Sequence, residues 1–132
     1  MKTIDDLYKD VRAGKCKHLS DGSLSGRVHH GTDYYMALRT ESGNYVVIYK
    51  RIDHLVMAFK YMIENGYIGI LSEFFIKVSS GGSVHAEPYK RLGYKSIDQV
   101  DQRNYMPFAK YMSNLIKTLS VVPSFTKAVE IN

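Results

Sequence analysis

The sequence predicts an α+β fold: a small antiparallel sheet packed against amphipathic helices. Three observations carry that expectation. Two β-rich runs over residues 33–50 read as a hairpin, a stripe of helical period follows at about 53–65, and a second stripe runs at about 104–119. At 132 residues and 45% hydrophobic content, the chain is expected to form a single compact domain over 1–132. A chain of that length buries roughly two-thirds of its unfolded surface, enough for one core.

The hairpin pairs Asp33–Thr40 with Asn44–Lys50. Aromatic and β-branched residues suit a pleated, half-buried surface. Between the runs, Glu41-Ser42-Gly43-Asn44 offers the positive backbone angles of a tight turn. Tyr45, Val47 and Tyr49 share one face, and Val46, Ile48 and Lys50 the other, so both faces are expected to be covered. Asp53 then reads as a helix N-cap, followed by Leu55, Val56, Phe59, Met62 and Ile63 at helical spacing and by Asn65-Gly66 as the stop.

At the N-terminus, Thr3 and Asp6 have the spacing of a capping box, and Ile4, Leu7, Tyr8 and Val11 make one face of a helix over about 4–13, ended by Gly14. Residues 15–31 read as loop, with turn chemistry over Ser20-Asp21-Gly22-Ser23 and a strand beginning near Arg27. Residues 67–78 fit two periods. Leu71, Phe74, Phe75 and Val78 suit a helix, whereas Phe74, Ile76 and Val78 suit a strand; the helical spacing is the better match, and either way the segment is core. Ser96-Ile97-Asp98-Gln99 is capping-box sequence. Pro107 is placed in the first turn of the last helix, whose stripe is Phe108, Tyr111, Met112, Leu115, Ile116 and Leu119. Pro123 ends it, and residues 121–132 are expected to add an edge strand or a packed tail.

The formal charge is +5 with a pI of about 9.2, which favours acidic partners, nucleic acid above all. A single cysteine, Cys16, excludes an intrachain disulfide and fits a reducing compartment. Acids where a leader would be apolar, and the lack of a run of about 20 apolar residues, lead to the expectation of a soluble cytoplasmic protein without a membrane partner.

Few motifs point to catalysis. There is no nucleotide P-loop, dinucleotide fingerprint or nucleophile elbow, and no cofactor is expected. Cys16, His18, His29 and His30 are zinc-ligand types at the wrong spacing, so no metal site is expected. Lys15 and Lys17 flank Cys16, which would lower its thiol pKa. A metal-independent ribonuclease would need two imidazoles as acid and base, and His29 with His85 is the pair the sequence offers.

The stronger clue is basic residues interleaved with tyrosines; the chain has 11 Tyr and no Trp. Arg39, Lys50 and Arg51 flank the hairpin, and Tyr89, Lys90, Arg91, Tyr94 and Lys95 form a second cluster. Lysine and arginine neutralise phosphates, and tyrosine stacks on unpaired bases. The sequence therefore favours a small non-catalytic binding protein whose partner is nucleic acid or a nucleic-acid-handling protein complex. The first alternative is a protein-binding inhibitor or regulator (a phage-like accessory protein) without nucleic-acid contact, and the second is the small metal-independent ribonuclease.

Overall fold

The computed structural model describes residues 2–22, 35–49, 52–78 and 84–119. Within them the fold is a six-stranded mixed sheet packed with four α-helices, the α+β class that the sequence predicts. The elements are α1 (Ile4–Arg12), β1 (Ser20–Asp21), β2 (Tyr35–Arg39), β3 (Tyr45–Tyr49), α2 (Ile52–Glu64), α3 (Ile68–Leu71), β4 (Phe74–Lys77), β5 (Val84–Pro88), β6 (Tyr105–Pro107) and α4 (Phe108–Leu119). The strand order is β1-β3-β2-β5-β4-β6, and every neighbour is antiparallel except β2 and β5.

The central hairpin forms as its residues dictate. Arg39 pairs with Tyr45 across the turn, and Gly43 takes φ +90°, a conformation that side-chain-bearing residues rarely adopt. Thr40, fully buried, satisfies its hydroxyl on the backbone N–H and carbonyl of Asn44 and on Ser42 Oγ. Ser42 in turn donates to Asp5 at 2.8 Å, tying the turn to the start of α1. Both hairpin faces are covered as expected. Leu38, Val46 and Ile48 join the main core, while Ala37 and Val47 are buried on the opposite face beside Tyr45.

The α-helices supply the main core from the first face. The capping box of Thr3 and Asp6 is present, and Ile4, Leu7, Tyr8 and Val11 are buried. Leu55, Ala58, Phe59 and Met62 of α2 and Phe108 and Met112 of α4 meet Phe74, Ile76 and Ala86 of the sheet. No helix among the described residues is long and apolar enough to cross a membrane.

Several local expectations are corrected. Residues 67–78 are not one helix: a four-residue α3 gives way to β4. Phe74, Phe75 and Ile76 are consecutive and all buried, which needs a strand covered on both faces, and β4 bonds to β5 and β6 on either side. α2 begins at Ile52, so Asp53 lies in its first turn and is not the N-cap; there its charge still complements the helix dipole. Pro107 ends β6 instead of opening α4, because residues 105–107 pair with β4; a missing amide is tolerated on an edge strand. Ser96 precedes a 3-10 turn without a side-chain cap, and Gln99 instead accepts from the Lys95 amide. Ser20 and Asp21, read as turn, form a short edge strand on β3. The proposed strand near Arg27, the start of the hairpin at 33–34 and the tail at 121–132 lie outside the described residues.

One polar cluster locks α1 to α2. Asp10 Oδ2 accepts from Tyr67 Oη at 2.5 Å and from Tyr61 Oη at 3.1 Å, and Asp10 Oδ1 lies 3.7 Å from Lys15 Nζ. The Tyr67 hydroxyl, then that of Tyr61, holds the Asp10 carboxyl below its ordinary range. Burial, then Asp10, pushes Tyr61 up to about 12 and raises Tyr67 as well.

Two predictions follow from this packing. The unfolded Asp10 carboxyl protonates first as pH falls below about 4, so its stabilisation is present above that range and fades through its lower folded value. The tyrosines act in reverse: their contribution is full below about 10 and fades for Tyr61 towards about 12. Asp10→Asn should therefore cost about 1–3 kcal/mol near neutrality and make the acid limb of a stability–pH profile shallower, as measured by urea unfolding. Gly22→Ala is expected to lower the thermal midpoint. Its new Cβ would stand 2.6 Å from Tyr45 Cβ and 2.6 Å from Val47 Cγ2, an overpacking cost of about 1–3 kcal/mol in a calorimetric scan.

Candidate functional site

The site begins where the parallel pairing of β2 and β5 brings the hairpin end beside the connector after β5. Pro88 leads into a 3-10 turn, Tyr89–Leu92, closed by Gly93 at φ +90°. The Tyr89 amide donates to the Glu73 carbonyl, and Arg91 Nη2 donates to the Glu41 carbonyl in the hairpin turn. The two basic-aromatic clusters, separate in sequence, are thus neighbours.

The predicted contact residues differ in what they have left to offer. Arg39 is half-buried, with Nη1 3.7 Å from Glu87 Oε1 and the guanidinium 5.9 Å from the centre of the Tyr45 ring. Its Nε is buried without a hydrogen-bond partner among the described residues. Arg91 is half-buried and engaged with Glu41. Lys90 and Lys95 are exposed, and Tyr89 and Tyr94 are half-buried. Lys50 and Arg51 lie outside the described residues.

Strand register extends this cluster across the second sheet face, opposite the main core. One row runs Tyr45, Arg39, Glu87, Phe75, Pro107; in the next, Lys77 is in register with Tyr105. Tyr94 meets Tyr105 edge to face, with ring centres 6.5 Å apart and planes at 77°. Lys77 is exposed and Tyr105 half-buried, so Lys77, Tyr94 and Tyr105 form a basic-aromatic patch at the β4–β6 edge, with exposed Lys95 next to Tyr94 in the chain. Reading the sequence misses Lys77 and Tyr105. The signal was there in Lys77 alternating with buried Phe75, but pairing residues so far apart in the chain requires the sheet order. Nearby Arg103 is held by Asp101, with Nε 3.1 Å from Oδ1.

The histidine pair is not assembled by what is described. His85 stands on β5 in register with Ala37, whereas His29 and His30 lie outside the described residues. Two other imidazoles do meet: the rings of His18 and His54 are 5.1 Å apart, edge to face. Burial, then the neighbouring His54 and Lys17, lowers the His18 pKa against the opposing pull of Asp53. Cys16 corrects an expectation. Its thiol is raised, not lowered, because burial in the core outweighs the amides of His18 and Leu19 that face it. No group of three or more His, Cys, Asp or Glu that could hold a metal occurs among the described residues.

Comparison with protein-family models, with curated proteins and with solved structures returns no match, so the site rests on its own chemistry.

The Arg39–Glu87 pair is partly exposed on both sides, at 40% and 25%. A double-mutant cycle with Arg39→Ala and Glu87→Ala is expected to give a coupling of about 0.2–1 kcal/mol, read by chemical unfolding. A coupling near zero would mean that the pair does not help hold β2 to β5.

Proposed function

We propose that the chain is a non-catalytic binding protein for single-stranded nucleic acid, using the second sheet face and the connector at 89–95. The observation that carries this reading is the patch of Tyr94 against Tyr105 beside exposed Lys77 and Lys95. Its chemistry suits the ligand. Half-buried tyrosines offer a ring edge or face to an unpaired base while their packing keeps the rings in place, and ammonium groups beside them neutralise phosphates. Lysines serve here better than the nearby arginines, since Arg39, Arg91 and Arg103 are already engaged within the protein. The overall charge of +5 adds attraction that carries no sequence information.

The test is fluorescence anisotropy with a labelled single-stranded RNA in chelator over a salt series. Replacing Lys77 and Lys95 together by alanine is expected to reduce the log–log salt slope by about 1.4, at about 0.7 per phosphate contact. Tyr94→Ala is expected to weaken binding by about 1–3 kcal/mol with the slope unchanged. The RNA should be recovered intact. An unchanged slope in the lysine double variant would reject this patch, and cleavage that survives chelator would turn attention to the histidines.

A further inference from the structure

A groove of about 290 Å³ lies away from this face, between the segment that follows α1 and the middle of α2. Lys15, Lys17 and His18 line one wall, and Met57, Lys60 and Tyr61 the other. We propose that this groove binds a phosphate group, held by the ammonium groups of Lys15, Lys17 and Lys60.

Three features support it. First, the lining carries three lysines against one carboxylate, Glu64. Lys60 meets that carboxylate at 3.7 Å along one helix face, in a pair whose acid is 59% exposed; such pairs hold their partners weakly. Second, Asp10, the acid behind Lys15, gives Oδ2 to two tyrosine hydroxyls and meets Lys15 only through Oδ1 at 3.7 Å, in a pair whose lysine is 65% exposed and so is held weakly. Lys17 is exposed and forms no ion pair among the described residues. Third, Met57 and the Tyr61 ring give the groove apolar walls, where a charge-assisted hydrogen bond gains strength over one in bulk water. The Tyr61 hydroxyl is turned to Asp10, which leaves the lysines and His18 as the donors. An anion seated there would favour the protonated form of His18, opposing its burial and the charges of His54 and Lys17, and acting in the same sense as Asp53.

The phosphate could arrive free, on a small phosphomonoester, or as part of a nucleic-acid backbone, and the experiment separates these. The His18 ring protons are followed by NMR while the full chain is titrated with inorganic phosphate, a nucleoside monophosphate or a single-stranded oligonucleotide. Saturable movement with the small probes, and a His18 titration midpoint that rises when they are bound, would support a free ligand. Movement with the oligonucleotide alone would support the backbone as the source. In either case Lys17→Gln, a change at an exposed residue, should weaken the response about tenfold, the loss of one charge-assisted hydrogen bond. Lys60→Gln should do the same. His18 unmoved by every probe, or a response unchanged in both variants, would overturn the proposal. Oligonucleotide binding that depends on Lys77 and Lys95 while His18 stays unmoved would overturn the groove alone, leaving the sheet-face reading in place.

Discussion

The arrangement depends on one parallel contact, residues 36–38 of β2 against 84–86 of β5. On one side of it lie β1, β3 and β2, and on the other β5, β4 and β6, each set antiparallel within itself. A parallel neighbour cannot be reached by a tight turn, so the chain must cross over. Here the crossover carries β3, α2, α3 and β4 before β5 returns beside β2. The small side chain of Ala86 beside Leu38, both fully buried, allows close packing at the junction. Arg39–Glu87 and Arg91–Glu41 then bridge it at its rim. The same contact sets the basic connector beside the hairpin, so the candidate site follows from the topology.

The helix layer is held by apolar burial with a small polar component on either side of α1. Asp10, Tyr61 and Tyr67 come from α1, α2 and the turn into α3, and each hydroxyl finds the carboxylate. Tyr67 is only 2% exposed, so an unanswered hydroxyl there would be costly. Tyr8 does the equivalent at the other side of α1, donating to Asp21 at 3.0 Å and so drawing β1 to the helix. Several tyrosines of this tyrosine-rich chain therefore serve as apolar bodies with an anchored tip, and fewer are left for ligands than their number implies.

Local echoes in the sequence illustrate where legibility ends. Lys60-Tyr61-Met62 and Lys110-Tyr111-Met112 share a pattern and an outcome: both methionines are fully buried, with the tyrosines half-buried beside them. Lys2-Thr3-Ile4-Asp5-Asp6 and Lys95-Ser96-Ile97-Asp98-Gln99 also share a pattern, yet only the first makes a capping box and an α-helix. The first is followed by Leu7, Tyr8 and Val11, a face that a core can bury, whereas Ile97 stays 39% exposed and the second stops after one turn. A cap sets where a helix can start, but burial decides whether it continues.

What the sequence determined by itself was local and periodic: the hairpin with its Gly43 turn, the three amphipathic helices to within a few residues, the α+β class and the basic balance. Those features follow from neighbours three or four residues apart, or from side-chain chemistry alone. Only the tertiary structure decided that residues 74–77 form a strand, because their hydrogen bonds go to β5 and β6 and their burial comes from both faces. It also decided which charges are engaged, pairing Arg39 with Glu87 and leaving Lys77 exposed beside Tyr105. Such pairings join residues distant in the chain, and no local pattern encodes the sheet order that brings them together.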